Sequence, residues 1–415
     1  MAIIKAFKGI RPVKSKSRLV ASHPYDVLNK QEARIKVKDN KYSFLHVVKP
    51  EIDLPDSVDQ YAPEVYQKGK ENFNKLLDEK VLLKDNEEHL YIYAQTMNNR
   101  TQYGIVGCAS VEDYINGIIK KHEVSLPAKV EERMNHIRVS GVNYEPVFFT
   151  YPAVKEIDEI VDQIVKEQRP EYDFTSDDGF GHHFWVIKNK DRINRIIELY
   201  SKVPYAYVAD GHHRTASAAL IGNERKKNNP NHKGNEEYNY FLAVHFPDNQ
   251  LTIIDYNRVV KYLNGLSNEM FIEKLKENFD IKEKGKKFYK PDKLHDFSMY
   301  LNKKWYSMTA KAGTYDNNDP VGVLDVSILS NLVLDNLLGI KDLRRDERID
   351  FVGGIRGLRE LKARVDSNEM KVAFALYPVS MKQLINIADT GNIMPPKTTW
   401  FEPKLRSGLI IHSLD

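Results

Sequence analysis

The chain has 415 residues, enough for two or three domains with sizeable cores. Hydrophobic residues make up 41% and charged residues 29%, which suits a soluble globular protein, and a net charge of +4 is too mild for a dedicated nucleic-acid binder. A single cysteine, Cys108, excludes an intramolecular disulfide and suits a reducing cytoplasm, and no stretch approaches the roughly 20 apolar residues of a membrane span.

The N-terminus MAIIKAFKGIRP lacks the apolar core and cleavage site of a signal peptide. Ala2 to Phe7 read as an opening strand and Gly9 to Pro12 as a turn. Lys14, Lys16 and Arg18 then form a basic loop. Pro24-Tyr25-Asp26 is a rigid turn that offers Asp26 as a polar site residue, and Asn29 caps a helix starting near Lys30. Phe44 to Pro50, FLHVVKP, reads as a buried strand, and Tyr61 to Asp78 as an amphipathic helix. Leu90 to Thr96 and Gln102 to Ala109 are strands joined by a hairpin at Asn98 and Asn99.

Val111 to Lys121 has the i, i+3, i+4 spacing of a helix. His122 and Glu123 at its end place a carboxylate beside an imidazole, as for a general base with a partner. Lys129, Glu132 and Arg133 read as the start of a solvated charged helix. Pro146 to Tyr151 is an apolar strand, Val154 to Glu167 a helix, and Asp191 to Tyr200 another helix. Between the helices lies a strand on which His183 and Trp185 share a face, with Trp185 in the core.

The most informative stretch is YAYVADGHHRTASAALIG. Tyr205 to Ala209 read as a buried strand, Asp210-Gly211 as a turn, and Thr215 to Ile221 as a helix against a sheet. Amide groups and a helix dipole at such a place form an anion site. Gly211 lets the backbone approach an oxyanion, Arg214 can fork onto a phosphate, and His212 and His213 add donors or a base. Asp210 can accept a proton or hold a cation. Adjacent histidines on a turn point apart, and no third ligand has telling spacing, so no metal site is expected.

Asn223 to Glu237 read as an exposed polar loop. Tyr240 to Phe246 and Leu251 to Tyr256 read as a hairpin, followed by Arg258, placed to point back to the anion site. Asn264 to Lys293 are lysine-rich and helical, and mark a domain boundary by composition. Lys304 to Ala312 and Lys371 to Tyr377 read as strands. Asp325 caps a helix closed by Gly339, and Ser380 one closed by Gly391. Near the end, Lys397, Thr398 and Thr399 offer an ammonium and two hydroxyls, a chemistry suited to phosphate; Lys404, Arg406 and Gly408 precede a final strand.

DGHHR followed by small residues and a helix resembles the signature of the ParB/sulfiredoxin-like superfamily, which includes sulfiredoxins, ParB-type nucleotide-binding proteins and free-serine kinases. In sulfiredoxin the motif reads Gly-Cys-His-Arg with a nucleophilic Cys. His212 stands at that place, which argues against sulfiredoxin chemistry and for the kinase-like branch. PYDV, HE before an Arg-containing helix, DGHHR, an LDV-type helix and MPPKTTxFxPKLxSGL occur in one order. That order resembles a bacterial and archaeal domain-of-unknown-function family, "ten-fifteen", over nearly the full length. The sequence departs from it at Ser22-His23-Pro24, where the family pattern tends to a Pro pair before Tyr25.

The expected fold is α/β: a mixed-sheet core over residues 1–262, ParB/sulfiredoxin-like by the resemblance, then an α+β region over 263–415 whose last strand returns to the core. The resemblance implies a cytoplasmic, nucleotide-dependent phosphotransferase using ATP or ADP with Mg²⁺ on a small hydroxyl metabolite, with free L-serine favoured. Gly211, His213, Arg214, Thr215, Lys397 and Thr398 would hold phosphates. Glu123, Asp210 and His212 would be catalytic, and Asp26, His122 and Arg258 would bind substrate. The alternatives are a nucleotide-binding regulatory switch without turnover and a partner-binding protein. Neither a membrane nor nucleic acid is an expected partner.

Overall fold

The structure, a computed structural model, describes residues 1–415. The chain forms two compact units. The first comprises Met1–Lys121, Ser125–Leu251 and Pro403–Asp415; the second comprises His122–Val124 and Thr252–Glu402. No helix is long and apolar enough to cross a membrane.

The first unit is built on a nine-stranded mixed sheet. From one edge its order is Ile119–Lys120, Ala206–Asp210, Val147–Tyr151, Tyr240–Pro247, Arg100–Ser110, Leu90–Met97, Gly181–Ile187 and Tyr172–Thr175, with Ile4–Lys5 also on Arg100–Ser110. Two pairings are parallel, Ala206–Asp210 with Ile119–Lys120 and Tyr240–Pro247 with Val147–Tyr151. The hairpin between Leu90–Met97 and Arg100–Ser110 turns on Asn98 and Asn99, both at positive φ (51° and 61°), which matches the twist of the strands. The helices Lys155–Glu167 and Lys190–Tyr200 feed Ile157, Ile164, Ile193 and Ile196 into the sheet's core. Pro127–Ser140 and His212–Asn228 add Met134, Ile137, Ala219 and Ile221. Trp185 is buried in this core, and Cys108 is buried on the strand Arg100–Ser110.

Several local expectations give way to longer-range packing. Ile10–Pro12 is a strand on Leu82–Lys84, not a turn. Leu45–Val48 is a helix, not a strand: Phe44, Leu45, Val47 and Val48 all enter one cluster with Phe73 and Leu76, and a short apolar run does not itself choose between the two. The helix from Val111 stops at Ile115. Gly117 then takes φ 73°, and Ile119–Lys120 becomes an edge strand. The helix after Gly211 runs on to Asn228, because Glu, Arg and Lys extend a helix well on an exposed face. Tyr240–Pro247 pairs with two distant strands, while Ile253–Ile254 pairs with Trp400–Phe401, so the expected hairpin is absent. The last strand, His412–Ser413, lies on Val142–Asn143 in the first unit.

The second unit holds a six-stranded antiparallel sheet ordered Phe279–Gly285, Lys304–Ala310, Asp296–Leu301, Val372–Leu376, Tyr256–Val260, Ile349–Gly353. The division of the chain therefore falls after Leu251, and Arg258 belongs to the second unit. The lysine-rich stretch is helical only over Asn268–Leu275; Phe279–Gly285 is a charged edge strand, a composition that discourages pairing with another chain. Ser380 caps Met381–Asp389 with a full capping box, as Asn29 does for Lys30–Val37. Asp325 does not cap its helix. It is the first helical residue, and its carboxylate accepts the His295 N–H at 2.8 Å.

Candidate functional site

The strand Ala206–Asp210 is buried up to its last residue, so Asp210 is where the chain first meets polar surroundings. Gly211 follows at φ 90°, a left-handed conformation, and a Cβ there would lie 3.1 Å from the Arg214 guanidinium. No side chain caps the helix that starts at His212, so the dipole's positive end faces the turn without a capping carboxylate or hydroxyl.

Asp210 Oδ1 accepts from Lys404 Nζ at 2.6 Å, and Oδ2 accepts from Arg214 Nη2 at 3.0 Å. Burial raises the Asp210 carboxyl, but Lys404 and Arg214 outweigh it and hold the group at about 2. The other arm of Arg214 donates to the Pro146 carbonyl at 2.9 Å. Thr215 is fully buried, and its hydroxyl donates to the Gly211 carbonyl at 3.0 Å. The fork that the sequence assigns to a phosphate thus spans Asp210 and Pro146. His212 is buried and His213 half-buried at the start of the helix.

Glu145, one residue before that carbonyl, gathers the other first-unit motifs. Its Oε1 accepts the Tyr25 N–H at 3.1 Å and the Ser407 hydroxyl at 2.9 Å, while Oε2 lies 3.6 Å from Arg133. The Arg133 guanidinium lies 3.8 Å over the Tyr25 ring and pairs with Glu132. Burial raises the Glu145 carboxyl against the opposing pull of Arg214 and Arg133. Asp26 is exposed, and its charge acts on both Glu145 and Arg214. A cavity of about 30 Å³, room for one water, is lined by Arg133, Glu145 and Arg214. Arg133 is therefore a buried site residue, not part of a solvated face. Glu145 is not among the expected site residues; its sequence signal is a lone acid at the entrance to an apolar strand. Lys404 had its signal inside the PKLxSGL run.

The remaining expected site residues gather in the second unit. Thr398 donates its hydroxyl to the Pro395 carbonyl at 2.6 Å, and Lys397 between them takes φ 58°. Arg258, 1% exposed, donates to the carbonyls of Lys397 at 2.9 Å, Pro396 at 3.4 Å and also Tyr256. No carboxylate pairs with it, and burial lowers its guanidinium to about 10. The exposed Lys397 ammonium lies 5.8 Å over the Tyr256 ring, which meets Trp400 edge-on at 4.9 Å. Trp400 covers Gly353, where a Cβ would come within 3.1 Å of the indole. The loop 353–357, GGIRG, joins the strand Ile349–Gly353 to the helix Gly357–Asp366 and lies outside the expected site residues. His122 Nε2 lies 3.3 Å from Thr399 Oγ1, and its carbonyl accepts the Met394 N–H. Glu123 is the next residue, half-buried.

The profile of the family described as "Protein of unknown function (DUF1015)" matches residues 4–327. The chain belongs to this family. Among solved structures, a free serine kinase in complex with AMP is 12% identical, with 74% of this chain and 91% of that one covered and a TM-score of 0.33. SbnI from Staphylococcus aureus with a C-terminal truncation is 11% identical over 73% and 85%, with a TM-score of 0.37. A conserved hypothetical protein from Pyrococcus furiosus is 14% identical over 75% and 95%, with a TM-score of 0.34. Likeness at these values carries no statement about the activity of this DUF1015 member. No curated protein matches the chain.

Proposed function

We propose that this protein is a nucleotide-dependent phosphotransferase that acts on a small hydroxyl metabolite, with free L-serine as the favoured acceptor. One observation carries the reading: a left-handed Gly211 opens an uncapped helix of 17 residues directly after a carboxylate that holds a lysine and an arginine. Phosphoryl transfer asks a protein mainly for positioning and positive charge, and this turn supplies both.

In this reading Gly211, His212 and His213 receive the phosphates of ATP or ADP at the helix N-terminus. Lys404, held by Asp210, adds a point charge. Arg214 and Thr215 fix the shape of the turn. Asp210, held at about 2, stays ionised at neutral pH and is a poor proton acceptor, so the proton of the acceptor hydroxyl is assigned to Glu123. The uncompensated charge of Arg258, with Lys397 beside it, suits the carboxylate of an amino acid. Both oxygens of Asp210 are already paired to cations, so Mg²⁺ would enter with the nucleotide phosphates rather than on this carboxylate. No step here runs through it.

The test is a coupled assay with ATP and with ADP against a panel of amino acids. Serine-dependent turnover with one of them is the expected result. Nucleotide binding without turnover on any acceptor would replace the kinase with a nucleotide-binding switch.

A further inference from the structure

Between the helix Lys30–Val37 and the loop 176–179 the first unit encloses a cavity of about 180 Å³, space for about six waters. Its charged lining is Arg18, Lys36, Arg406, Asp177 and Asp178, with His23 beside them. It shares no lining residue with the turn at Gly211.

Arg406 is the fixed part. It is 4% exposed, its Nε donates to His182 at 3.2 Å and its Nη2 to Ser176 at 3.1 Å, and it also bonds His23 and Asp178. Burial, joined by the charge of Arg406, lowers His23 to about 4 and His182 to about 3. Both imidazoles are therefore neutral acceptors at neutral pH. The lining then counts three cations (Arg18, Lys36, Arg406) against two carboxylates (Asp177, Asp178), an excess of one positive charge.

Arg18 and Lys36 are the exchangeable part. Both reach the same exposed carboxylate, Asp177, at 3.7 and 2.7 Å. Exposed ion pairs of this kind hold weakly. An entering oxyanion can take both cations from Asp177 at little loss and gain the fixed charge of Arg406, with the Ser43 hydroxyl and the Asn40 amide also on the wall. We propose that this cavity is a second ligand site, which captures a small oxyanion, a phosphate or carboxylate group, between Arg18, Lys36 and Arg406.

Isothermal titration of the full-length protein with inorganic phosphate, and separately with acetate, distinguishes the two groups. Selenate soaked into crystals locates the oxyanion by anomalous diffraction. One of the two anions binds, the selenate peak lies between Lys36 and Arg406, and the double variant Arg18→Ala, Lys36→Ala weakens binding by about tenfold or more. Lys75→Ala, a lysine elsewhere on the surface, leaves it unchanged. The two replaced side chains end in solvent, so the double variant keeps its fold, as a thermal melt checks. No heat from either anion, equal affinity in the double variant, or selenate only outside the cavity (an adventitious ion only) overturns the proposal.

Discussion

Arg214 and Arg258 are both buried arginines beside a motif turn, and they are held in opposite ways. Arg214 sits among carboxylates: Asp210 bonds it, Glu145 and Asp26 act on it, and it is held firmly protonated despite burial. Arg258 has only carbonyls and the Phe351 ring, 5.2 Å away, and burial lowers it. The acids of the two units differ likewise. Asp210 in the first unit is pulled down to about 2, whereas burial raises Asp325 in the second to about 7, with the charge of Asp296 adding to the rise. Around its motif turn the first unit holds the buried charge in pairs, whereas Arg258 and Asp325 in the second have no side-chain partner of opposite charge. Paired charges fix geometry; an unpaired buried charge is costly to the fold and responsive to a ligand.

The largest expected effect lies in the second unit's chemistry. Glu123→Gln keeps nucleotide affinity and lowers turnover by about a hundred- to ten-thousandfold, the usual worth of a general base. Equal loss of affinity and turnover would move Glu123 from proton acceptor to phosphate or acceptor binding.

The arginines come next. Arg214→Met leaves Asp210 and Glu145 short of a partner and is expected to cost about 3–5 kcal/mol in denaturant unfolding. Arg258→Met removes a cation that no acid needs, leaves carbonyls unpaired, and is expected to cost about 1–3 kcal/mol while raising the serine KM. The reverse ranking would break the comparison.

Lys404→Ala is expected to weaken ATP or ADP binding by roughly ten- to a hundredfold, the worth of a charge-assisted contact, as read by calorimetry. The Asp210 carboxyl should rise in this variant, because Lys404 is a main cause of its depression.

A further effect is a pH slope. The folded Asp325 carboxyl lies at about 7, above its unfolded value of 3.8, so the fold favours its protonated form. Stability from this group is present in acid, falls as pH rises from 3.8 towards 7, and is flat above. Asp325→Asn should melt above the parent at pH 8 and close to it at pH 4. A melting gap of equal size at both pH values would show that Asp325 does not titrate this way.

Much of this arrangement is readable along the chain, and the rest is not, for identifiable reasons. The strand, turn and helix around Gly211 follow from a buried apolar run, an Asp-Gly pair and small helix formers, all within 18 residues. The capping boxes at Asn29 and Ser380 are equally local. The direction of Arg214 is not local: it depends on the Pro146 carbonyl, 68 residues away. The role of Glu145 depends on Tyr25, Arg133 and Ser407, which no spacing links. FLHVVKP misleads because four apolar residues split by His46 carry no usable period.

The central claim is that the turn at Gly211 receives nucleotide phosphates, and ADP titration of the parent and of Gly211→Ala tests it most directly. A Cβ at φ 90° strains the turn and crowds the Arg214 guanidinium. The parent should bind ADP, and the variant should bind at least about tenfold more weakly while the protein still melts cooperatively. Equal affinity in a folded Gly211→Ala protein, or no binding of ADP or ATP by the parent, would contradict it.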